Sequence, residues 1–271
     1  MSNDCAVALV TGAARRVGRA IAIELARAGF DVAVHYRSSK TEAADVAAAV
    51  TALGRRAELI SADLADPASW SSVIAQVVGA LGRLDILVNN ASVFPADDVS
   101  TATVRDRPTP EPLTQWSAGI PLQEGECTFP LDHWESTLRT NLIAPAALAH
   151  YAKPYLSASG RGKIVNLSDI SAERPWGNHL AYCVSKAGLS SLTKGLARAL
   201  APHVQVNAVA PGIVVFPQDY SPELRQKLID KTLVGREGTP EEVAALVRFL
   251  VEHGHYVTGQ VIPIDGGRSI A

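Results

Sequence analysis

Ala6-Val7-Ala8-Leu9-Val10-Thr11-Gly12-Ala13-Ala14-Arg15-Arg16-Val17-Gly18 runs from a short apolar segment through a glycine loop into an amphipathic one. Ala6–Val10 has the length and composition of a buried strand. Beyond it, Val17, Ile21, Leu25 and Ala28 recur at the spacing of one helical face. Strand, glycine loop and helix in that order form the setting in which such a loop binds a dinucleotide. Gly12 permits the tight turn, and Gly18 lets helix and strand pack closely. Backbone N–H groups at the helix start then face a pyrophosphate. Arg16 stands where a middle glycine is usual, and Gly12, Arg16, Val17 and Gly18 are the first cofactor candidates. Taken alone, the segment also reads as a generic strand–helix turn.

Working outward, strand-like runs recur at 31–36, 57–61, 84–88, 163–167, 204–209 and 260–264, with helix-length segments between them. Short, continuously apolar strands covered on both faces indicate an α/β fold with a parallel, doubly wound sheet. Seven strands in a single Rossmann-type domain, residues 1–271, are expected. The exception to the rhythm is 95–130, with six prolines in 36 residues and no clear period. An insertion of this length is usually a lid, a binding loop or locally disordered. It follows the fourth strand, which puts it over the carboxyl edge of the sheet, where ligands bind in such folds. An indifferent surface insertion is the plainer alternative.

Composition excludes several classes of function. Of 271 residues, 47% are hydrophobic and 19% charged, too apolar for a disordered chain. A net charge of −2 gives no electrostatic case for nucleic acid or an anionic membrane. Cys5, Cys127 and Cys183 lack paired spacing and read as reduced, buried thiols, and the scattered histidines give no metal cluster. The chain opens Met-Ser-Asn-Asp and contains no apolar stretch of bilayer-spanning length, so a cytoplasmic protein is expected.

The second strand end indicates the cofactor. Sheets that select NAD end this strand with a carboxylate for the ribose hydroxyls. Here Tyr36 is followed by Arg37, Ser38 and Ser39. A guanidinium beside two hydroxyls suits a 2′-phosphate, which favours NADPH over NADH. Asp63-Leu64 ends the third strand, placing a carboxylate for the adenine amino group. Asn89-Asn90-Ala91-Ser92 ends the fourth with amides and small residues. These sites converge on one cleft.

Tyr182 and Lys186 lie four apart, on one face of a helix. A phenol is a poor acid–base group at neutral pH, and a neighbouring ammonium should lower its pKa. With the Thr11–Gly18 loop, Asn89–Ser92, Pro211-Gly212 and Asp265-Gly266-Gly267, the pattern resembles the short-chain dehydrogenase/reductase family along nearly the whole chain. The resemblance implies hydride transfer, with Tyr182 as proton donor and Lys186 on the nicotinamide ribose. It further implies that Asn141 anchors a water-linked proton relay and that Pro211, Gly212 and Ile213 flank the cofactor. A homotetramer follows by the same analogy.

One departure carries information. The family's usual serine lies thirteen residues before the tyrosine, and here that position is Asp169. A carboxylate accepts hydrogen bonds but cannot donate one to a carbonyl. With Arg16 and Asn90-Ala91-Ser92-Val93-Phe94, this resembles the pteridine reductase subgroup, in which an aromatic ring and the nicotinamide sandwich a flat pterin. The implied substrate residues are Arg16, Ser92, Phe94, Asp169 and Tyr182. The expected activity is NADPH-dependent reduction of a pterin. The alternatives are reduction of a carbonyl substrate such as a 3-oxoacyl thioester or sugar-like ketone, or a nonenzymatic NADPH sensor.

Overall fold

Val7 and Leu9 turn to one side of the sheet and Ala8 and Val10 to the other, and all four are buried. A strand apolar on both faces needs helices on both, and this chain supplies them. The structure is a computed structural model and describes residues 5–96, 130–216 and 220–271. Most of the proline-rich 95–130 stretch, with Cys127, lies outside the described residues. Seven parallel strands form one sheet in the order β3-β2-β1-β4-β5-β6-β7. They are β1 Val7–Val10, β2 Asp31–Tyr36, β3 Ala57–Ser61, β4 Ile86–Asn89, β5 Gly162–Leu167, β6 Val204–Pro211 and β7 Val261–Ile264. The helices are α1 Arg16–Arg27, α2 Lys40–Ala52, α3 Ser69–Leu81, α4 Leu131–Leu138, α5 Ala144–Ala158, α6 Leu180–Ala199, α7 Pro222–Ile229 and α8 Pro240–Glu252.

Two cores flank the sheet. On one face Ile21 and Leu25 of α1 and Val247 and Leu250 of α8 pack on Ala8, Val10, Val32 and Val34. On the other, Val73 and Val77 of α3 and Leu148 and Leu156 of α5 cover Val7, Leu9, Leu87 and Ile164. β1 pairs with β2 on one side and β4 on the other. The strand order therefore reverses beside β1, and a crevice opens at the carboxyl ends.

Differences from the sequence reading are local. β4 begins at Ile86 rather than Leu84 because the Asp85 carboxylate accepts the Val7 N–H at 2.8 Å and a forked pair of bonds from Arg83. β6 runs on to Pro211, where Gly212 N–H continues the pairing to Ile264. Cys183 is buried as expected, whereas Cys5 is only partly so, under Arg55. Among the described residues, no helix is long and apolar enough to cross a membrane.

Candidate active site

The glycine loop is braced from two sides. From β4, Thr11 Oγ1 accepts the Asn90 and Ala91 N–H groups at 2.9 and 3.0 Å. The Asn90 amide donates back to the Thr11 and Gly12 carbonyls at 2.8 and 3.1 Å. Asn90 thus shapes the loop with its side chain. From β2, the His35 ring accepts the Gly12 N–H at 3.1 Å. Gly12 has φ +63°, and a Cβ on Gly18 would sit 2.2 Å from the Gly12 carbonyl oxygen. No other residue fits at Gly18, because its obstacle is backbone.

Arg16 opens α1 at φ +50°, in the left-handed region that glycine adopts freely. That conformation explains why glycine is usual at this place, and holding an arginine there costs roughly 1–3 kcal/mol. The N-cap residue Arg15 makes no side-chain cap bond, which leaves first-turn amides for an anion.

A cavity of about 280 Å³ lies over this loop. It is lined by Gly12 and Arg16 of the loop, Tyr36, Arg37 and Ser38 at the end of β2, Asp63 and Leu64 after β3, and Ala91 and Ser92 after β4. Nine cofactor candidates thus meet in one cavity. Tyr36 is buried while Arg37 and Ser38 are exposed at the rim. One oxygen of Asp63 closes a local turn on Ala65 N–H. A larger cavity of about 580 Å³, lined by Lys163, His203 and His255, lies at the opposite, amino ends of the strands. None of the candidates reaches it.

The residues expected to handle the proton lie just past β5, at Asp169, and on α6, at Tyr182 and Lys186. Tyr182 donates its hydroxyl to Asp169 Oδ2 at 2.9 Å, and Asp169 Oδ1 accepts the Ser171 N–H at 2.7 Å. Lys186 is buried, donates to the Leu167 carbonyl at 2.7 Å and lies 5.5 Å from the Tyr182 ring centre. Burial lowers its pKa to about 8. Burial also raises the Asp169 carboxyl above the usual range, against the Ser171 N–H and the Lys186 charge. The expected lowering of the Tyr182 pKa is reversed. Burial first, then the Asp169 charge facing its hydroxyl, push it well above the ordinary phenol value. The phenol holds its proton firmly at neutral pH.

Asn141 lies in a π-helical turn, Arg139–Ile143, between α4 and α5. Such turns favour functional sites. Its amide accepts the Val93 N–H at 2.9 Å and donates to Val93 O and Ser185 Oγ, both at 3.0 Å. The side chain therefore pins the loop that carries Phe94, with both amide hydrogens committed. Gly212 packs on Asp265, where a Cβ would come within 2.8 Å of backbone. Pro211 and Ile213 flank it at the carboxyl end of β6.

Phe94 is 43% exposed. It stacks on His179 at 4.2 Å and stands edge-on to Tyr182 at 4.7 Å, while Trp176 lies parallel to Tyr182 at 6.4 Å. His179 Nδ1 donates to the Pro95 carbonyl at 2.9 Å. Trp176, His179 and His35 were not singled out from sequence. The signal available for His35 was a polar residue directly after the apolar run Val32–Val34, which needs a partner when buried. The two aromatic residues precede α6 with no period of their own.

Two family models match the chain, "short chain dehydrogenase" over residues 6–108 and "Enoyl-(Acyl carrier protein) reductase" over 116–269. A 3-oxoacyl-[acyl-carrier-protein] reductase of Staphylococcus aureus is 33% identical over 264 residues, 96% of each chain. A ketoacyl reductase of the granaticin polyketide synthase of Streptomyces violaceoruber, itself described as putative, is 33% identical over 97% of this chain and 96% of its own. Among solved structures, FolM alternative dihydrofolate reductase 1 from Brucella canis, complexed with NADP, superimposes with a TM-score of 0.83 and 29% identity. It covers 100% of this chain and 97% of that one. A blue fluorescent protein from a metagenomic library, in complex with NADPH, gives 0.80 and 32%, covering 98% and 99%.

Proposed function

The chain belongs to the short-chain dehydrogenase family, and from that premise we propose that it is an NADPH-dependent reductase of a flat, N–H-bearing heterocycle of the pteridine class. The observation that carries this reading is the Tyr182–Asp169 contact at 2.9 Å, a carboxylate where the family's usual serine would offer a hydroxyl. A carboxylate accepts from the N–H groups along a pterin edge, whereas it repels the alkoxide that develops when a ketone takes hydride. Phe94, 43% exposed and stacked on His179, brings an aromatic ring to the site, and stacking on a flat heterocycle is worth about 0.5–1.5 kcal/mol beyond burial. The similarity to a dihydrofolate reductase complexed with NADP agrees with both substrate class and cofactor.

The residues present fit NADPH. Gly12 and Gly18 let the loop pack tightly on itself and on the end of β4, the N-cap Arg15 makes no side-chain cap bond, and Arg37 and Ser38 line the rim in place of a carboxylate. When bound, the cofactor supplies hydride. Lys186 would hold the nicotinamide ribose and Arg37 the 2′-phosphate. Arg16 would reach both phosphate and substrate, Asp169 and Ser92 would orient the heterocycle's donor edge, and Tyr182 would deliver the proton to the ring nitrogen. A homotetramer agrees with this reading, since Ile143, Tyr151, Tyr155 and Val184 expose apolar surface along α5 and α6.

The 33% identity to 3-oxoacyl reductases favours a second reading, reduction of a carbonyl on a thioester. NADPH oxidation measured side by side with dihydrobiopterin, dihydromonapterin and an acetoacetyl thioester separates them. A kcat/KM at least tenfold higher on a dihydropterin supports the pteridine reading, and the reverse order overturns it.

A further inference from the structure

His35 meets the cofactor loop twice. Its ring Nδ1 accepts the Gly12 N–H at 3.1 Å, and its carbonyl accepts the Ala13 N–H at 2.8 Å. The ring is 2% exposed and lines the cavity over the loop. Because Nδ1 accepts, the ring proton sits on Nε2. Two of the turn's amides are thus consumed by one residue of β2. The uncapped amides of the α1 first turn are left to face phosphate.

We propose that His35 is a positioning residue for the cofactor: its neutral ring, fixed in the Nε2–H tautomer, holds the Gly12 amide away from the phosphates and so sets where they dock. This rests on the loop being the NADPH cradle. A protonated ring would present a donor to the Gly12 donor and release the turn. The surroundings keep it neutral. Burial lowers its pKa to about 4, outweighing the Ala62 backbone and the Asp63 carboxylate just past β3, which both favour the charged form. On the ring's face of the sheet, β3 carries Glu58 and Ile60, and α3 has no charged side chain. Arg15, Arg16 and Arg37 line the same cavity, and Glu42 of α2 pairs with Arg15.

The test uses the whole chain and two readouts besides turnover. Ring-nitrogen NMR of the cofactor-free protein should show a bare Nδ1 and a protonated Nε2 at pH 7. Calorimetric titration with NADP⁺ should show His35→Leu weakened about 5- to 150-fold, the range for stranding a buried donor. His35→Asn, which places an acceptor oxygen near the Nδ1 position, should stay within about 5-fold, the worth of one neutral hydrogen bond. If His35→Leu does not fold, the tautomer and the Asn variant still decide. A ring protonated at Nδ1 overturns the proposal, as does a His35→Leu protein that binds as tightly as the unmutated one. Unmutated protein that fails to bind NADP⁺ overturns the cofactor reading and the proposal with it. The tautomer spectrum, which needs no cofactor, shows whether the His35–Gly12 contact survives that failure.

Discussion

Replacing Asp169 with Asn keeps the shape of the side chain and removes its charge. Asp169 serves two donors, Ser171 N–H at 2.7 Å and the Tyr182 hydroxyl at 2.9 Å, one on each oxygen. An amide offers one acceptor oxygen and turns the other position into a donor, so it can serve only one of the two. The backbone contact on the loop is the one it should keep. The hydroxyl contact then loses its charged acceptor, and so does the N–H edge of the substrate. A hydrogen bond to a charged group contributes about 1.5–3 kcal/mol. At about 1.4 kcal/mol per tenfold, kcat/KM for a dihydropterin should fall roughly 10- to 150-fold. The Tyr182 pKa should move down at the same time, because the Asp169 charge that helps hold it up is gone. The limb of the pH–rate profile that reports loss of the Tyr182 proton should therefore shift to lower pH. Asp169→Ser should lose pterin turnover likewise and gain activity on small ketones, since a hydroxyl donor returns. The assay is steady-state NADPH oxidation across pH with both substrate types. Pterin kcat/KM unchanged in Asp169→Asn, or an equal loss on pterin and acetoacetyl thioester, would refute the reasoning.

Arg37→Asp should weaken NADPH about 10- to 150-fold and leave NADH equal or better, because a charge-assisted phosphate contact is lost; equal NADPH and NADH affinities in the unmutated protein would remove the basis for that role. Tyr182→Phe should lower turnover by about 100- to 10,000-fold while cofactor affinity by titration stays nearly constant; retention of half the activity would point to another proton donor. Acid should destabilise the fold through His35. The folded ring takes up its proton near pH 4 and an unfolded one near 6.5, so the unfolded chain binds more protons in between. Stability from this group is therefore complete above about pH 6.5 and falls as pH drops toward 4, by roughly 3 kcal/mol in total. Urea unfolding at several pH values should show this loss in the unmutated protein and not in His35→Asn; parallel pH dependence in the two would count against it.

The strands and the glycine loop were legible because each is a local pattern. Ala6–Val10 is apolar on both faces, and a loop with Gly12 and Gly18 leads into a helical period. Asp169 was legible by its distance from Tyr182 in the chain. What it does to Tyr182 was not. The i, i+4 spacing places Lys186 beside the phenol, yet the structure gives the Lys186 ammonium to the Leu167 carbonyl and the Tyr182 hydroxyl to Asp169. Which neighbour wins depends on burial and direction, and sequence spacing carries neither. The roles of Asn90 and Asn141 were hidden for a related reason. Each spends its amide on a segment distant in the chain, Asn90 on Thr11 and Gly12 and Asn141 on Val93 and Ser185. His35 and Gly12 lie 23 residues apart and meet only because β1 and β2 are paired neighbours.

The reversal of strand order beside β1 also divides labour along the chain. Every residue proposed to choose between the two nicotinamide cofactors sits before position 65. Every residue proposed to move a proton sits after position 140. A change at Arg37 therefore leaves the Tyr182–Asp169 pair untouched, and a change at Asp169 leaves Arg37 and Ser38 as they were. On such a scaffold a lineage can alter its electron source and its substrate in separate steps, each tested by selection alone, without passing through a protein that has lost both.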